Sequence, residues 1–494
     1  MNDSARRTRT VWGMLRGARV ASFAIVVAAC SSSTPSSPAP TAAGSPAATS
    51  TTTSTDLAPQ VVPQHGTFTG QLSSATQAYP VVLWIDGCGH PDEVCGDIEY
   101  ADPKHPEFTL CAPQLVFKGR DGDRDVFEAR PAYRADQCPP GTLRIGSAGS
   151  SEPLTLAVEG SSDTGTSTCC QGTLTQTSDE PPGGDEPPTL PTIDGLTGPL
   201  STADLGGPTT QYSAADAQMA YFPAQGALAT VVLDTGQSDE MADDQDVAST
   251  TDPNSVTTIG DAIWIARGPS KTLERVDVSP AAAATPPIAL PHTPYALAGD
   301  GTTLWVTSLD DSVVMAVDTL TGQVQANVSV PSPTGVAVGG GSVWVVEHKD
   351  GKLARIDPAT HEVMNEVSLG KGGDDPMCGM CAENVVYAFD SAWTANDLGR
   401  SITRVDGVTF KATTYPTANR VWSVAAHGNE IYGSQFEEVD GYIDRHVGGL
   451  VRIDPRTNKV AKSSAPGVLG VAALGDYLWL IVPARRSDIV VSYK

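Results

Sequence analysis

Basic residues are scarce in this sequence, and the shortage excludes one class of partner. The chain has 31 Lys and Arg residues against 57 Asp and Glu residues, which gives a formal net charge of -26 over 494 residues. Nucleic acids and anionic lipid surfaces are bound through clustered positive charge. We therefore expect no nucleic-acid partner.

The apolar run near the N-terminus is too short to be a membrane-spanning helix. The sequence VASFAIVVAA occupies residues 20–29 and follows an arginine-rich segment. A bilayer crossing needs about 20 apolar residues, whereas a charged segment followed by a shorter apolar run is typical of an export signal. The sequence therefore predicts a signal peptide over 1–29.

The predicted signal peptide is followed by a cysteine in a familiar context. Residues 27–30 read VAAC, which resembles a bacterial lipobox. The resemblance implies cleavage before Cys30 and diacylation of its thiol, for example with palmitate. Residues 30–61 are rich in Ser, Thr and Pro and contain too little apolar bulk to fold, so we expect a disordered tether. The expected localisation is extracytoplasmic, anchored to the cell membrane as a lipoprotein.

Eight further cysteines remain, which is an even number. Exported proteins fold in oxidising surroundings, where paired cysteines form disulfides. No helical pattern follows the C-x-x-C motif at 378–381, which favours a local structural disulfide over a redox centre. The sequence leaves the pairing open, and the candidates are Cys88, Cys95, Cys111, Cys138, Cys169, Cys170, Cys378 and Cys381.

A segment rich in chain-breaking residues divides the rest of the chain into two regions. Residues 177–189 are rich in Pro, Gly and acidic residues and are expected to be a linker. This linker separates a region over 62–176 from a larger region over 190–494. We expect each region to be a domain and both to be all-β.

The region 62–176 consists of short alternating runs such as YPVVLWID and PLTLAVEG, separated by Gly, Pro and Asp. This pattern predicts a small disulfide-bearing antiparallel β-barrel or sandwich. The motifs GTFTG, Gly87-Cys88-Gly89 and GTLTQ resemble β-modules found outside actinobacterial serine/threonine kinases and in lipoproteins. The resemblance implies an extracellular sensing or binding module. The run DGDRDV lacks the glycine and bidentate glutamate of a calcium loop, so we expect a hairpin turn there.

The region 190–494 repeats one aromatic residue that is followed thirteen positions later by Asp. Short apolar strands that recur in this way, without helical periodicity, are typical of a β-propeller with one four-stranded blade per copy. The sequence therefore predicts seven blades, or six if the first copy is irregular. Complete copies begin at Tyr221, Trp264, Trp305, Trp344 and Trp393, and modified copies begin at Tyr432 and Trp479.

The repeat also predicts the order of strands in each blade. The strand before the aromatic residue should be innermost, the aromatic strand second, and the strand ending in Asp third, with Asp fixing the turn to the outer strand. The chain ends after a third strand, IVVSYK. Because an open sheet edge is unfavourable, we expect the segment 190–206 to add the missing outer strand and close the ring.

The phrases LARIDPATHEV and LVRIDPRTNKV are similar to those of YVTN, quinoprotein-like and virginiamycin B lyase-like propellers, and the similarity spans nearly all of 205–494. It implies the propeller fold. The lyase-like resemblance also implies magnesium-assisted elimination by His and Glu at the channel mouth. In this chain those roles carry over only to His348, Glu347 and Glu383.

Propellers bind ligands mostly at the mouth of the central channel, where variable loops join rigid blades. Glu347 and His348 are adjacent on a strand, so their side chains should point to opposite faces. Counting ten positions back from each aromatic residue gives Leu469 and a polar and aromatic set that suits a polar small molecule, a glycan or a protein ligand. This set is Gln211, Asn254, Tyr295, Thr334, Glu383 and Trp422.

The function predicted from these patterns is that of a cell-surface lipoprotein whose propeller mouth is a ligand-binding or protein-interaction scaffold. Two alternatives stay open. One is a metal-dependent lyase or hydrolase of the virginiamycin B lyase-like type, and the other is a purely structural envelope protein. No cofactor is expected for the scaffold, whereas the enzyme would use Mg²⁺ or Ca²⁺.

Overall fold

The fold is seen in a computed structural model of the chain. The predicted signal peptide, Cys30 and the tether lie outside the described residues, and so does most of the predicted linker. The structure describes residues 65–494 except 75–77, 86–89, 92–93, 102–108, 123, 134–141, 147–152, 163–164, 179–189, 191, 206–211, 217, 225–226, 234–237, 242–252, 261, 269, 278–284, 371–379, 440–441, 466 and 484–487.

The chain divides into two compact units, Met1–Gly184 and Asp185–Lys494. The regular structure of the described residues consists of β-strands throughout both units. Within the described part of the chain, no helix has the length and apolar character that a bilayer crossing requires.

Eight antiparallel strands of the first unit form a closed barrel in sequence order. Because β1 pairs with both β2 and β8, the barrel has no free edge. The alternation seen in the sequence directs Leu83, Phe127 and Leu143 into its core. Of the two predicted architectures, the barrel is the one observed. The strands are β1 Gly66–Ser73, β2 Ala78–Ile85, β3 Val94–Ala101, β4 Thr109–Asp121, β5 Arg124–Tyr133, β6 Thr142–Gly146, β7 Leu154–Ser162 and β8 Gly165–Ser178.

The run DGDRDV forms the hairpin between β4 and β5, as predicted, with Asp121 opposite Arg124. Arg144 Nη1 lies 2.6 Å from Asp121 Oδ2, and Arg120 Nε lies 2.6 Å from Asp125 Oδ1. The partners of these two carboxylates are therefore arginines.

Seven four-stranded sheets make up the second unit, so the predicted seven-bladed propeller is confirmed. The first strands of successive blades lie side by side in a ring around the central channel. Blades 1 to 3 are β10–β13 (Ala214–Ala215, Met219–Ala224, Ala227–Val232, Ser238–Met241), β14–β17 (Pro253–Ile259, Ala262–Arg267, Thr272–Asp277, Ile288–Ala289) and β18–β21 (Leu297–Asp300, Thr303–Ser308, Val313–Asp318, Val324–Ser329). Blades 4 and 5 are β22–β25 (Pro333–Gly339, Ser342–Glu347, Lys352–Asp357, Glu362–Ser368) and β26–β29 (Ala382–Ala388, Ser391–Asn396, Ser401–Asp406, Ala412–Pro416). Blade 6 is β30–β33 (Val424–His427, Glu430–Val439, Tyr442–Asp454, Lys459–Ala465), and blade 7 is β34–β36 (Gly470–Leu474, Tyr477–Pro483, Asp488–Tyr493) with β9 (Ser201–Asp204).

The ring closes where the two ends of the propeller meet. The outer strand of blade 7 is β9, which precedes blade 1 in the sequence and pairs with β36. Ser201 Oγ lies 2.6 Å from Ser492 Oγ, and Thr197 N donates to Lys494 O at 2.7 Å. The predicted closure by the segment 190–206 is therefore confirmed.

Blade 5 shows why the repeat needs both its aromatic residue and its Asp. Trp393 is fully buried, and its indole N–H donates to Ala388 O at 3.2 Å, while the Arg404 guanidinium lies 5.3 Å from its ring centre. Asp406 Oδ1 accepts hydrogen bonds from Val408 N at 3.2 Å and Thr409 N at 2.7 Å. These bonds lower the pKa of Asp406 and fix the turn towards the outer strand, as predicted.

Buried side chains also join the innermost strands of neighbouring blades. Ser255 Oγ accepts a bond from Leu297 N at 3.1 Å, and Asn384 Oδ1 accepts one from Val424 N at 3.1 Å. Ser423 Oγ accepts from Val471 N at 2.6 Å. All three acceptors precede the aromatic residue of their blade by nine positions. These bonds hold the channel wall rigid, and the candidate site lies on that wall.

Candidate functional site

His348 and Glu383 meet at the channel mouth, where blades 4 and 5 are adjacent. Glu347 ends the second strand of blade 4 and His348 follows it, while Glu383 is the second residue of the first strand of blade 5. His348 Nδ1 lies 3.1 Å from Glu383 Oε1 and 3.1 Å from Ala382 O. Both neighbours are oxygen acceptors, so the Nδ1 proton points towards them and the imidazole orientation is fixed.

Burial and mutual contact shift the pKa of both groups. Burial raises the pKa of Glu383, and the hydrogen bond from His348 offsets that effect only in part. Burial by itself lowers the pKa of His348, but the hydrogen bond to Glu383 and the charge of Glu383 outweigh it, so the net shift is upward. The two groups therefore form a proton-sharing pair that titrates as a unit.

A second charged pair lies beside the first. Arg420 Nε donates to Asp397 Oδ1 at 2.6 Å, and its Nη2 donates to Asp397 Oδ2, which makes the pair bidentate. The Arg420 guanidinium also lies 5.3 Å from the ring centre of Phe436. Asp397 N donates to Cys381 O at 3.0 Å, which ties the pair to the residue directly before the strand that contains Glu383. The negative charge of Asp397 raises the pKa of Glu383, whereas Arg420 lowers it.

Two tyrosines cover the inner side of this site. Tyr212 donates its phenol proton to Glu383 O at 3.1 Å, so its side chain reaches from the start of blade 1 to blade 5. The rings of Tyr212 and Tyr295 pack edge to face with centres 5.8 Å apart. Burial and the charge of Glu383 raise the pKa of Tyr295, so its phenol keeps its proton. Aromatic surface from two blades therefore lies beside the His348–Glu383 pair.

Tyr212 is the residue that sequence reasoning missed. Counting back ten positions from Tyr221 gave Gln211, which lies outside the described residues. The neighbouring tyrosine is the side chain that crosses the channel. The sequence does contain a signal for it. Tyr212 precedes Tyr221 by nine positions, only one fewer than the ten by which Tyr295 precedes Trp305.

The other predicted mouth residues differ in their surroundings. Thr334 is fully buried and donates to Ala382 O at 3.0 Å, so its hydroxyl links blades 4 and 5. Trp422 is partly buried and packs on Phe436 with ring centres 5.8 Å apart. The side chain of Asn254 lies outside the described residues.

Glu347 and His348 point to opposite sides of blade 4, as their adjacency implies. Val345, on the Glu347 side, belongs to the core between blades 3 and 4, and Val346, on the His348 side, belongs to the core between blades 4 and 5. Glu347 is fully buried, and neither of its carboxyl oxygens makes a hydrogen bond to His348 or Glu383. It is therefore not part of this site.

Three of the candidate disulfide cysteines have described side chains. Cys95 and Cys170 are buried in the barrel core, and Cys381 is buried directly before Ala382. The side chains of Cys88, Cys111, Cys138, Cys169 and Cys378 lie outside the described residues. The pairing of the cysteines therefore stays a prediction.

The donor set at the mouth does not fit a magnesium ion. Both oxygens of Asp397 accept from Arg420, and Glu383 Oε1 contacts His348. Among the described residues, no group of three or more His, Cys, Asp or Glu side chains is arranged to hold a metal ion. Mg²⁺ needs several oxygen ligands in octahedral geometry, and these oxygens already have partners.

Comparisons with known proteins find similar folds among solved structures. No protein-family profile and no curated protein matches the chain. Among solved structures, a virginiamycin B lyase from Staphylococcus aureus with quinupristin is 14% identical, covering 60% of this chain and 98% of its own, with a TM-score of 0.46. BamB from Moraxella catarrhalis is 14% identical over 58% of this chain and 83% of its own, with a TM-score of 0.40. A chain of the mitotic checkpoint complex is 13% identical over 62% of this chain and 94% of its own, with a TM-score of 0.50. At these identities the likeness concerns the fold alone.

Proposed function

We propose that the propeller binds an uncharged polar ligand, such as a glycan, at the channel mouth. The observation that carries the proposal is the meeting of Tyr212, Tyr295, His348 and Glu383 from four different blades at one place. Loops and strand ends of a rigid ring are where propellers with different ligands differ from one another. The mouth is therefore the best-supported binding region of this chain.

The chemistry of the mouth favours a polar ligand without net charge. Glu383 and Asp397 each have a basic partner within hydrogen-bonding distance. At this place the ligand therefore meets paired charges, together with flat aromatic area from Tyr295 and Trp422. Aromatic faces combined with fixed hydrogen-bonding groups are typical of sites that bind sugars and other amphipathic polar molecules.

Binding of peptidoglycan fragments and soluble glycans tests this proposal. We expect measurable binding to wild-type protein, and a loss of at least about tenfold in Tyr295→Ala and Trp422→Ala, because each removes contact area worth about 1.4 kcal/mol or more. Phe389→Ala is the matched control, since Phe389 is an exposed aromatic residue in the turn between the first two strands of blade 5, at the end away from the mouth. If both mouth variants bound as tightly as wild-type protein, the mouth would not be the binding region. Absence of binding to every probe would favour the structural envelope role.

The same proposal includes a cell-surface lipoprotein address. The arginine-rich segment, the apolar run at 20–29 and the lipobox-like VAAC support it. The N-terminal barrel would then act as an extracellular sensing or binding module. Replacing Cys30 with Ser should abolish lipid labelling by radioactive palmitate and release the protein from the membrane fraction. Unchanged labelling in that variant would contradict the anchor.

A second candidate function is acid–base catalysis, and one observation favours it. The 3.1 Å contact between His348 Nδ1 and Glu383 Oε1 orients an imidazole whose other nitrogen is the natural proton acceptor or donor for a bound substrate. An elimination or hydrolysis would use His348 to move the proton and Glu383 to stabilise the imidazolium. Turnover of cyclic depsipeptides or esters that disappears in His348→Gln would establish it. We expect Mg²⁺ and Ca²⁺ to leave the melting temperature unchanged, and a rise with either ion would contradict the metal-free form of this candidate.

A further inference from the structure

Glu347 is a buried carboxyl group for which the proposed site has no use. It ends the second strand of blade 4, and its side chain is fully buried on the side facing blade 3. Neither carboxyl oxygen has a hydrogen-bond partner. Buried polar groups almost always have a partner, and an isolated buried carboxylate is strongly unfavourable. This arrangement therefore needs an explanation.

The interface between blades 3 and 4, which we call the seam, has a largely apolar core with one buried hydrogen bond, from Thr307 Oγ1 to Thr334 O at 2.7 Å. Its core contains Val314 and Val328 from blade 3 and Val345 and Ala354 from blade 4. The burial of Glu347 on this side follows from strand alternation, because Val345 two residues earlier points the same way. A negative charge at this point would therefore face aliphatic side chains.

The charged groups around Glu347 oppose its ionisation more than they favour it. Burial is the main cause that raises its pKa to about 7, and the charges of Glu366 and Asp350 raise it further, while Lys352 lowers it. Lys352 makes no hydrogen bond to Glu347, and its Nζ pairs with Glu366 Oε2 at 2.8 Å. On the blade 3 side, the charged residues at the same end of the sheet are Asp310 and the pair His292–Asp311, whose nearest atoms are 3.3 Å apart.

We propose that Glu347 makes the seam a pH-sensitive joint: as a neutral carboxyl it lets blades 3 and 4 pack tightly, and as a carboxylate it loosens them. Ionisation brings an unpaired charge into an apolar interface, which relaxes by opening towards water. The neutral form carries no such charge. The joint therefore tightens in mildly acidic surroundings and loosens in neutral to alkaline ones.

The joint is connected to the channel mouth through the backbone. His348 N donates to Ser332 O at 3.0 Å, which binds the end of the Glu347 strand to the start of blade 4. Gly351 N donates to Glu347 O at 3.0 Å, so the following turn is fixed to the same residue. A movement of Glu347 away from blade 3 therefore displaces the backbone of His348, the next residue. Proton binding on one side of blade 4 thus influences the pair on the other side.

Thermal unfolding of the full-length protein between pH 5 and pH 8 tests the joint. For wild type, the melting temperature should fall over this range by about 4 °C more than for Glu347→Gln, which cannot ionise. Glu347→Met, an apolar side chain of similar length, should show the same shallower profile and a higher melting temperature than wild type at pH 8. Glu362→Gln is the matched control, because Glu362 is an exposed carboxyl on the outer strand of the same blade, and it should keep the wild-type slope.

Hydrogen exchange localises the effect and keeps the test decisive if one variant folds poorly. After correction for the intrinsic rate, peptides from β21 to β24 of wild type should exchange several-fold faster at pH 8 than at pH 6. The same peptides of Glu347→Met should show a clearly smaller difference between the two pH values. Parallel melting profiles for wild type, Glu347→Gln and Glu347→Met would overturn the proposal. Uniform pH-dependent exchange across all seven blades would overturn it as well, since the joint predicts a change confined to blades 3 and 4.

Discussion

Blade 4 separates two buried glutamates that have opposite surroundings. At the mouth, Glu383 has His348 at 3.1 Å and the Asp397–Arg420 pair beside it. In the seam, Glu347 has no hydrogen-bond partner for either oxygen. Burial raises the pKa of both carboxyl groups. The difference lies in the partner, not in the burial.

This comparison shows what distinguishes a site from a structural weak point. A buried carboxyl with a fixed imidazole can exchange a proton with it without leaving a charge unpaired, which is what binding and acid–base chemistry need. A buried carboxyl in an apolar seam has no such partner, so its ionisation places an unpaired charge among aliphatic side chains. The first arrangement is suited to a ligand, and the second is suited to a response to pH.

Opening the ring should remove the difference between the surroundings of Glu347 and Glu383. Deleting residues 190–206 removes the outer strand of blade 7, including the buried side chains of Ala203 and Leu205 and the backbone hydrogen bonds to β36, and it leaves the edge of β36 exposed. We expect a loss of about 5 kcal/mol in the free energy of unfolding. Both Glu347 and Glu383 should then be in a mobile, hydrated ring, which hydrogen exchange over all blades would detect. Shortening the preceding linker by residues 179–184 is the control, and equal stability of the two deletions would contradict closure by β9.

Removing Arg420 should leave the mouth with a buried acidic group that has lost its partner, as in the seam. Arg420→Ala leaves Asp397, which is 7% exposed, without its bidentate partner. We expect a loss of about 2 to 3 kcal/mol in urea unfolding and a further rise in the pKa of Glu383, because Arg420 lowers it in the native protein. The double variant Arg420→Ala/Asp397→Ala should recover part of the loss.

The control for Arg420 is an exposed pair of the same type. Arg400 makes bidentate bonds of 2.8 Å and 2.8 Å to Glu437, but its side chain is 45% exposed. Arg400→Ala should therefore cost less than about 1 kcal/mol. A similar loss for both arginines would show that burial of the carboxylate is not what matters at the mouth.

The pH dependence of stability should have the same sign on both sides of blade 4. The pKa of His348 is raised above its ordinary value of 6.5, so its contribution is complete below that value and is lost as pH rises through the folded value. The pKa of Glu347 is raised from 4.5 to about 7, so its contribution is lost between those values as pH rises. Wild-type protein should therefore be more stable at pH 5 than at pH 8.

Single variants separate the two contributions to this slope. His348→Gln should reduce the part of the slope above about pH 6.5 and cost about 1 kcal/mol at pH 5. Glu347→Gln should reduce the part between about pH 4.5 and pH 7. Melting temperatures at half-unit intervals would resolve the two ranges. A wild-type melting temperature that rises from pH 5 to pH 8 would contradict both assignments.

The sequence was enough to predict the ring of blades but not all of the side-chain contacts between them. The spacing from Trp393 to Asp406 reports a local blade structure, so seven blades and their closure followed from it. Alternation also separated Glu347 from His348. In contrast, the reach of Tyr212 across the channel depends on which blades face each other, and the missing partner of Glu347 depends on the side chains of the neighbouring blade. Neither is encoded in a local pattern, and the same holds for the choice between barrel and sandwich, which depends on the pairing of β1 with β8.

Thr334 should show the smallest effect and the clearest division of roles at the mouth. It was predicted as a ligand-binding residue, but its hydroxyl donates at 3.0 Å to Ala382 O, the carbonyl that His348 Nδ1 also contacts. Thr334→Val should lower the free energy of unfolding by about 1 kcal/mol and leave ligand affinity unchanged. Thr307→Val is the matched control, since Thr307 is equally buried and donates at 2.7 Å to Thr334 O. If Thr334→Val lost affinity while Thr307→Val did not, the Thr334 hydroxyl would be part of the binding surface. The structural hydrogen bonds beneath the mouth would then begin at Thr307 and not at Thr334.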